Sequence, residues 1–291
     1  MYHPIPRAWL TAVHALEVTF ESSIGNPPRT VAGSGFWLGT DHVSRFATNR
    51  HLVDYEYKTG ESGRAYEISR MQIWSWKHAG PPQAIEIEQC SILVPESDRF
   101  DVAVIQVQRI APSAGRGQMG TSVGEAYLAD QAFESEHLEW GAQVTFASFQ
   151  AWHDRRLRKP IVRTGILASD PAGEFTFDQL DRERIHLLEA MSFAGSSGCP
   201  VFANARGVPV DSTLSGGNFR PAKVIGIMAG HFPASESRQA ASAFPALPHS
   251  GLSYCHKASL IGDLIRGEIA MDSRAWFRHS PPASERDRIL T

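Results

Sequence analysis

The feature that most constrains this chain is the recurrence of short segments rich in Val, Ile, Phe and Trp, cut apart at close intervals by Gly, Pro, Asp and Ser. They are His14–Phe20, Gly33–Gly39, Met71–Trp76, Ala84–Val94, Asp101–Val107, Ala142–Phe149, Ile161–Leu167, Arg184–Ala190, Lys223–Gly230 and Gly251–Cys255. Branched and aromatic side chains suit a pleated, half-buried surface, so short runs bounded by turn residues predict the strands of a sandwich or barrel. The expected class is all-β. Ala111–Glu125, "APSAGRGQMGTSVGE", is Gly/Ser-rich without an apolar period and reads as a linker between two β-rich halves. Only "HKASLIGDLIRGEIA", His256–Ala270, spaces its apolar residues (Leu260, Ile261, Leu264, Ile265) as a helix does. That helix is expected against the outside of the second half, followed by a tail held loosely except at Trp276 and Phe277.

At 291 residues and 42% hydrophobic content, the chain can bury one large core or two modest ones. A charged fraction of 20% and a net charge of -3 supply no basic field, which argues against nucleic acid or an anionic membrane as partner. No apolar run reaches the ~18 to 20 residues that span a bilayer. The opening stretch carries Pro4, Pro6, His14 and Glu17 in place of a basic cluster and a long apolar run, so no signal peptide is expected. Cys90, Cys199 and Cys255 are too sparse for a disulfide framework and fit a reducing compartment. A cytoplasmic location follows as the expectation. Without an HExxH pattern or paired cysteines, neither a metal nor a cofactor is expected.

Three stretches carry residues able to do chemistry. In "FAGSSGCPVF", Phe193–Phe202, Gly195 and Gly198 permit a tight turn at positive φ that can aim successive backbone N–H groups into one small space beside Ser196 and Ser197. In "SRFATNRHLVD", His51 follows an apolar strand end and so stands at the mouth of a core. In "DRFDVAVIQV", Asp101 precedes a buried run, where a carboxylate needs a hydrogen-bond donor. Each has a plainer reading by itself: a flexible Gly/Ser link, a surface histidine, a strand-capping aspartate. A hydroxyl attacks at neutral pH only when an imidazole takes its proton, a carboxylate orients that imidazole and donors receive the oxyanion. The three stretches hold one of each part.

Taken in order, "GSGFWLGTDHVSRFATNRHLVD", "FDVAVIQV" and "GSSGCPVF" resemble the chymotrypsin/trypsin-like serine peptidases, and bacterial, non-secreted members in particular. In that family a GSGF(V/I) strand leads to a TAAH histidine, a D(I/V)A(L/V) aspartate follows, and GxSGGP comes last. "RTGILAS", Arg163–Ser169, and "KVIGIMAG" extend the likeness. The resemblance implies two six-stranded antiparallel Greek-key barrels with a C-terminal helix: residues 10–115 with His51 and Asp101, a linker at 116–134, residues 135–258 with Ser197, and a helix and tail at 256–291. It implies Ser197 as nucleophile, His51 as general base, Asp101 as its orienting acid, and the N–H groups of Gly195 and Ser197 as the oxyanion hole. Met191 would lie at the floor of the specificity pocket, with Met228, Ala229, Gly230 and His231 along a wall; an apolar or small side chain is the expected occupant, or through His231 a polar or acidic one.

Departures from the family narrow this. Ser196 stands where secreted members carry the aspartate that binds a new amino terminus, and no IVGG-like cleavage site occurs, so activation by that route is not expected. Regulation would fall to an activating partner protein or to loop ordering. Cys199 replaces the second glycine of SGGP, and reads as a buried thiol packed behind the loop or, in a sharper version, as a redox brake. Extra residues in "HDRRLRKP", "DSTLSGGNFRPAK" and "HFPASESRQAASAFPALPHSG" read as loops around a cleft. The function implied is a serine endopeptidase that cleaves a specific partner protein in a regulated pathway such as stress or phage defence. The alternative is a catalytically silent peptide-binding module.

Overall fold

The computed structural model describes residues 2–40, 43–55, 57, 66–76, 82–111, 121–150, 153–154, 156–175, 183–207, 219–233 and 249–278. The first six strands, β1 (Val13–Ser22), β2 (Arg29–Thr40), β3 (Val43–Thr48), β4 (Tyr66–Ser75), β5 (Gln83–Pro95) and β6 (Ala103–Ile110), pair in the ring β1-β2-β3-β6-β5-β4 and back to β1. After a two-residue strand β7 (Val123–Gly124), the strands β8 (Gln143–Ser148), β9 (Ile161–Leu167), β10 (Ile185–Glu189), β11 (Pro200–Ala203), β12 (Lys223–Pro233) and β13 (His249–Lys257) close a second ring, β8-β9-β10-β13-β12-β11. Both rings are antiparallel and run in the same order. Three strands follow as hairpins and the fourth returns beside the first, which is a Greek key. The chain thus adopts the chymotrypsin-like double barrel.

Period-2 alternation explains why the strands sit where they do. Leu16, Val18 and Phe20 of β1, Ile85 and Ile87 of β5, and Ala103 and Ile105 of β6 fill the first barrel. The intervening residues Val13, Ala15 and Val104 face the other way, into a core shared with Phe202, Val224 and Ile227 of the second barrel. Both faces are therefore buried at Val13–Leu16 of β1 and Ala103–Ile105 of β6, which is why "DVAVIQV" reads as a nearly unbroken apolar run.

The C-terminal elements differ from expectation. The helix spans only Ser259–Arg266 and ends at Gly267, which takes the left-handed conformation at φ 70°. Its Leu260, Ile261 and Leu264 enter the shared core, against β5 and β6 as well as β13, so it wedges at the junction of the barrels and not on the outside of the second. Of the tail, residues 279–291 lie outside the described residues, and the part before them is not loose: Met271–Phe277 forms β14, antiparallel to Gln89–Pro95 of β5. The reason is an open edge. β5 is 13 residues long, and β4 pairs only with Gln83–Glu86, leaving the rest of its edge to be covered. Trp276 is held there by its Nε1–H donating to the Ile68 carbonyl at 2.8 Å, whereas Phe277 is exposed.

In the stretch read as a linker, residues 112–120 lie outside the described residues, and Val123–Gly124 pair in parallel with Leu38–Gly39 of β2. The loops at 211–223 and 231–251 also lie largely outside them. A helix at Gln131–His137 is capped by Asp130, whose Oδ1 accepts the Phe133 N–H at 2.8 Å. Its buried Glu134 stands 3.1 Å from both His186 Nε2 and Lys257 Nζ. Among the described residues no helix is long and apolar enough to cross a membrane.

One buried group makes the fold sensitive to acid. His14 on β1 is fully buried, its Nδ1 3.3 Å from the Trp74 carbonyl, and burial lowers its pKa from 6.5 to about 4. The unfolded chain then binds a proton that the folded one refuses between those two values, so this contribution to stability is full above pH 6.5 and lost as pH falls toward 4. The loss is about 3 kcal/mol. Urea unfolding at pH 7 and pH 4 should show a fall smaller by that amount in His14→Phe than in wild type; equal falls would contradict the assignment.

Candidate active site

His51 lies in a single 3-10 turn, Arg50–Leu52, directly after β3, and Asp101 lies two residues before β6. Because β3 pairs with β6 from Thr48↔Ala103, the ends of the two strands bring these residues together. Asp101 is fully buried, and its Oδ2 is 2.7 Å from His51 Nδ1 while its Oδ1 accepts the His51 backbone N–H at 3.0 Å. An ionised carboxylate only accepts, so Nδ1 carries the ring proton and Nε2 presents a lone pair. Asn49 Nδ2 donates to the Asp101 carbonyl, and Arg50 is tied to Asp54 at 3.0 Å and to the Pro95 carbonyl at 3.0 Å. The imidazole is thus fixed at its base.

The Ser197 loop belongs to the second barrel and is clamped from the first by one side chain. Ser34 of β2, fully buried, donates its hydroxyl to the Gly195 carbonyl at 2.7 Å and accepts the Phe149 N–H at 3.0 Å. Its own N–H donates to the Ser197 carbonyl at 2.7 Å, and its carbonyl accepts the Thr48 hydroxyl at 2.8 Å. A Cβ added at the neighbouring Gly33 would strike Leu52 and come 3.0 Å from the Ser197 carbonyl oxygen, so the Ser197 backbone packs beside the His51 turn. We predict that Ser34→Ala, which leaves the buried Phe149 N–H without an acceptor, costs about 1 to 3 kcal/mol in urea unfolding. Unchanged stability would show that the clamp carries no load.

The two serines have separate surroundings. Ser196 is buried, its Oγ accepting from Gln150 Nε2 at 3.0 Å and from the Phe193 N–H at 3.2 Å. Gln150 in turn is held by Arg163 Nε at 3.2 Å, and the Arg163 guanidinium lies over the Phe193 ring. Ser197 is half-buried, and among the described residues its hydroxyl makes no hydrogen bond, not even to His51 Nε2. Catalytic hydrogen bonds are commonly long before substrate arrives. Gly195 and Gly198 hold φ of 92° and 86°, and the turn they allow spends the N–H of Ser196 on Phe193 and that of Gly198 on Met228. Among the described residues, the N–H groups of Gly195 and Ser197 have no acceptor.

The residues assigned to the specificity pocket are less united. Met191 is 46% exposed, whereas Met228 and Ala229 are buried, with the Met228 side chain in the second-barrel core. Met228 is bonded to the loop through its backbone: its carbonyl accepts from Gly198 and its N–H donates to the Cys199 carbonyl, each at 2.9 Å. Beside Gly230, His231 stacks on His249 with ring centroids 4.5 Å apart. The Gly251 N–H approaches His249 Nδ1 at 2.8 Å and the Ser192 N–H approaches Nε2 at 3.2 Å. Burial, then the neighbouring His231, holds His249 below its ordinary pKa. Sequence reasoning missed His249, at the start of β13, and the Ser192 and Ser253 hydroxyls, which meet at 2.9 Å, because no local pattern marks single polar residues in a loop or at a strand position.

All three cysteines are buried free thiols. Burial pushes Cys90 up to about 12 and raises Cys199 and Cys255 well above the ordinary thiol range, which favours the reading of Cys199 as a buried thiol packed behind the loop.

No family model matches the chain, and no curated protein matches its sequence. Among solved structures it is similar to Deg5, at 15% identity over 91% of this chain and 93% of that one, with a TM-score of 0.49. It is similar to a thermostable serine protease, AL20, from an extremophilic microorganism, at 13% identity over 90% and 98%, with a TM-score of 0.49. A third is the protease Anisep from Arthrobacter nicotinovorans, at 12% identity over 86% and 91%, with a TM-score of 0.48.

Proposed function

We propose that this chain is a serine endopeptidase of the chymotrypsin/trypsin-like class, with Ser197 as nucleophile, His51 as general base and Asp101 as the acid that orients it. The observation that carries the reading is the 2.7 Å contact of His51 Nδ1 with the buried Asp101 carboxylate, which leaves the Nε2 lone pair to act as a base. Ser197 Oγ attacks the peptide carbonyl carbon while its proton passes to Nε2. The oxyanion is received by the N–H groups of Gly195 and Ser197, which no protein acceptor occupies among the described residues. His51 then returns the proton to the leaving amine, and water attacks the acyl-enzyme by the same route in reverse. Asp101 holds the tautomer and stabilises the imidazolium.

The substrate is a protein or peptide, and the biological target in this proposal is one partner protein cleaved in a regulated pathway. The unbonded Ser197 hydroxyl favours a second reading, in which the cleft binds a peptide without cutting it. A peptide library incubated with the protein and read by mass spectrometry separates the two. New termini with wild type that vanish with His51→Ala are expected; equal cleavage by both, or none by either, contradicts the peptidase reading.

A further inference from the structure

We infer that His256 is a positioning residue for this reaction, holding Asp101 from the opposite barrel; the inference rests on the peptidase reading above. His256 lies on β13, is fully buried, and places its Nε2 3.0 Å from the backbone nitrogen of Asp101. A backbone N–H can only donate, so Nε2 must offer a lone pair and the ring proton sits on Nδ1. Nδ1 is 3.2 Å from the Glu183 carbonyl, which accepts it. The tautomer of His256 is thereby set by its two neighbours, as that of His51 is set by Asp101.

The contact answers a specific need. Asp101 precedes the β3–β6 ladder, which starts at Thr48↔Ala103, so no strand partner takes its N–H. A buried N–H without an acceptor is costly. With Nε2 in place, the Asp101 backbone is gripped at both polar ends, by His256 at N–H and by Asn49 at the carbonyl, while its carboxylate holds His51. His256 and Ser197 are both carried by the second barrel, and His51 and Asp101 by the first. The His256–Asp101 bond therefore registers the base against the nucleophile, and with the Ser34 clamp it is a second tie between the barrels.

Two amides of different reach test this. In His256→Gln the side-chain oxygen can extend to where Nε2 stood and accept the Asp101 N–H, whereas His256→Asn is too short. The expected result is that Asn lowers kcat for peptide hydrolysis by about ten- to a hundredfold at nearly unchanged KM, while Gln stays within about threefold of wild type. The low-field proton resonance of His51 Nδ1–H, read by NMR, should be shifted or lost in Asn and kept in Gln. Equal behaviour of the two variants would overturn the inference. If His256→Asn does not fold, His256→Gln decides alone: retention of rate and resonance is expected, and loss of either overturns it. The resonance needs no turnover, so a wild type that cleaves nothing would sink the peptidase reading while the NMR comparison still reports on His256.

Discussion

Ser197→Ala is expected to lower kcat for peptide hydrolysis by about 10⁵- to 10⁶-fold without changing the fold. The size follows from chemistry: with the attacking oxygen gone, only binding and the oxyanion donors remain, and five decades correspond to about 7 kcal/mol of barrier. The fold should survive because the Ser197 hydroxyl makes no hydrogen bond among the described residues and its backbone contact with Ser34 is kept. Ser196→Ala should behave in the opposite way. Its hydroxyl takes the Phe193 N–H and the Gln150 amide, so its loss falls on stability and only indirectly on rate. Steady-state kinetics of both variants beside wild type would show the contrast, and a comparable loss of kcat in the two would remove the assignment of Ser197 as nucleophile.

Gly198→Ala should be the most damaging glycine-to-alanine change among the described residues, destabilising by at least about 3 kcal/mol. Two causes add. The residue holds φ 86°, where an L side chain is strained, and a Cβ there would press into the Ser34 carbonyl oxygen and lie 2.5 Å from Thr48 Oγ1. Neither neighbour is free to yield, because Ser34 is held by four hydrogen bonds to Gly195, Phe149, Ser197 and Thr48. Gly141→Ala separates the causes: at φ 74° with nothing within 4 Å, it keeps the strain and lacks the clash, and should cost about 1 kcal/mol. Urea midpoints for the two variants measure the difference, and equal costs would mean that the loop is not packed against β2 as described.

The barrels were legible because most of their strands are buried on at least one face and so advertise themselves as apolar runs. β14 did not, since all but Met271 and Trp276 of its seven residues are exposed; it is held by backbone pairing, which leaves no side-chain signature. β11 escaped for another reason: "PVFA" is four residues long and abuts the glycine turn, so it read as part of the loop. The Greek-key order of the two barrels came from the family resemblance alone, because pairing between distant strands is fixed by tertiary packing and no local period encodes it. The helix showed its apolar face plainly, but the face does not say which barrel it will cover. At the site, His51 and Asp101 stood out as polar residues at the ends of apolar runs. Ser34 and His256 sit inside buried strands, one within a stretch read simply as strand and the other as the first residue of a helix. Their roles come from hydrogen bonds to another barrel, which no local pattern reports.

The central claim is that Ser197 is an activated nucleophile, and the most direct test is to treat the purified protein with a fluorophosphonate probe and map the adduct by peptide mass spectrometry. A single adduct on Ser197, present in Ser196→Ala and absent in Ser197→Ala and His51→Ala, is the predicted result. An adduct on Ser196, or labelling of Ser197 that persists in His51→Ala, would contradict it.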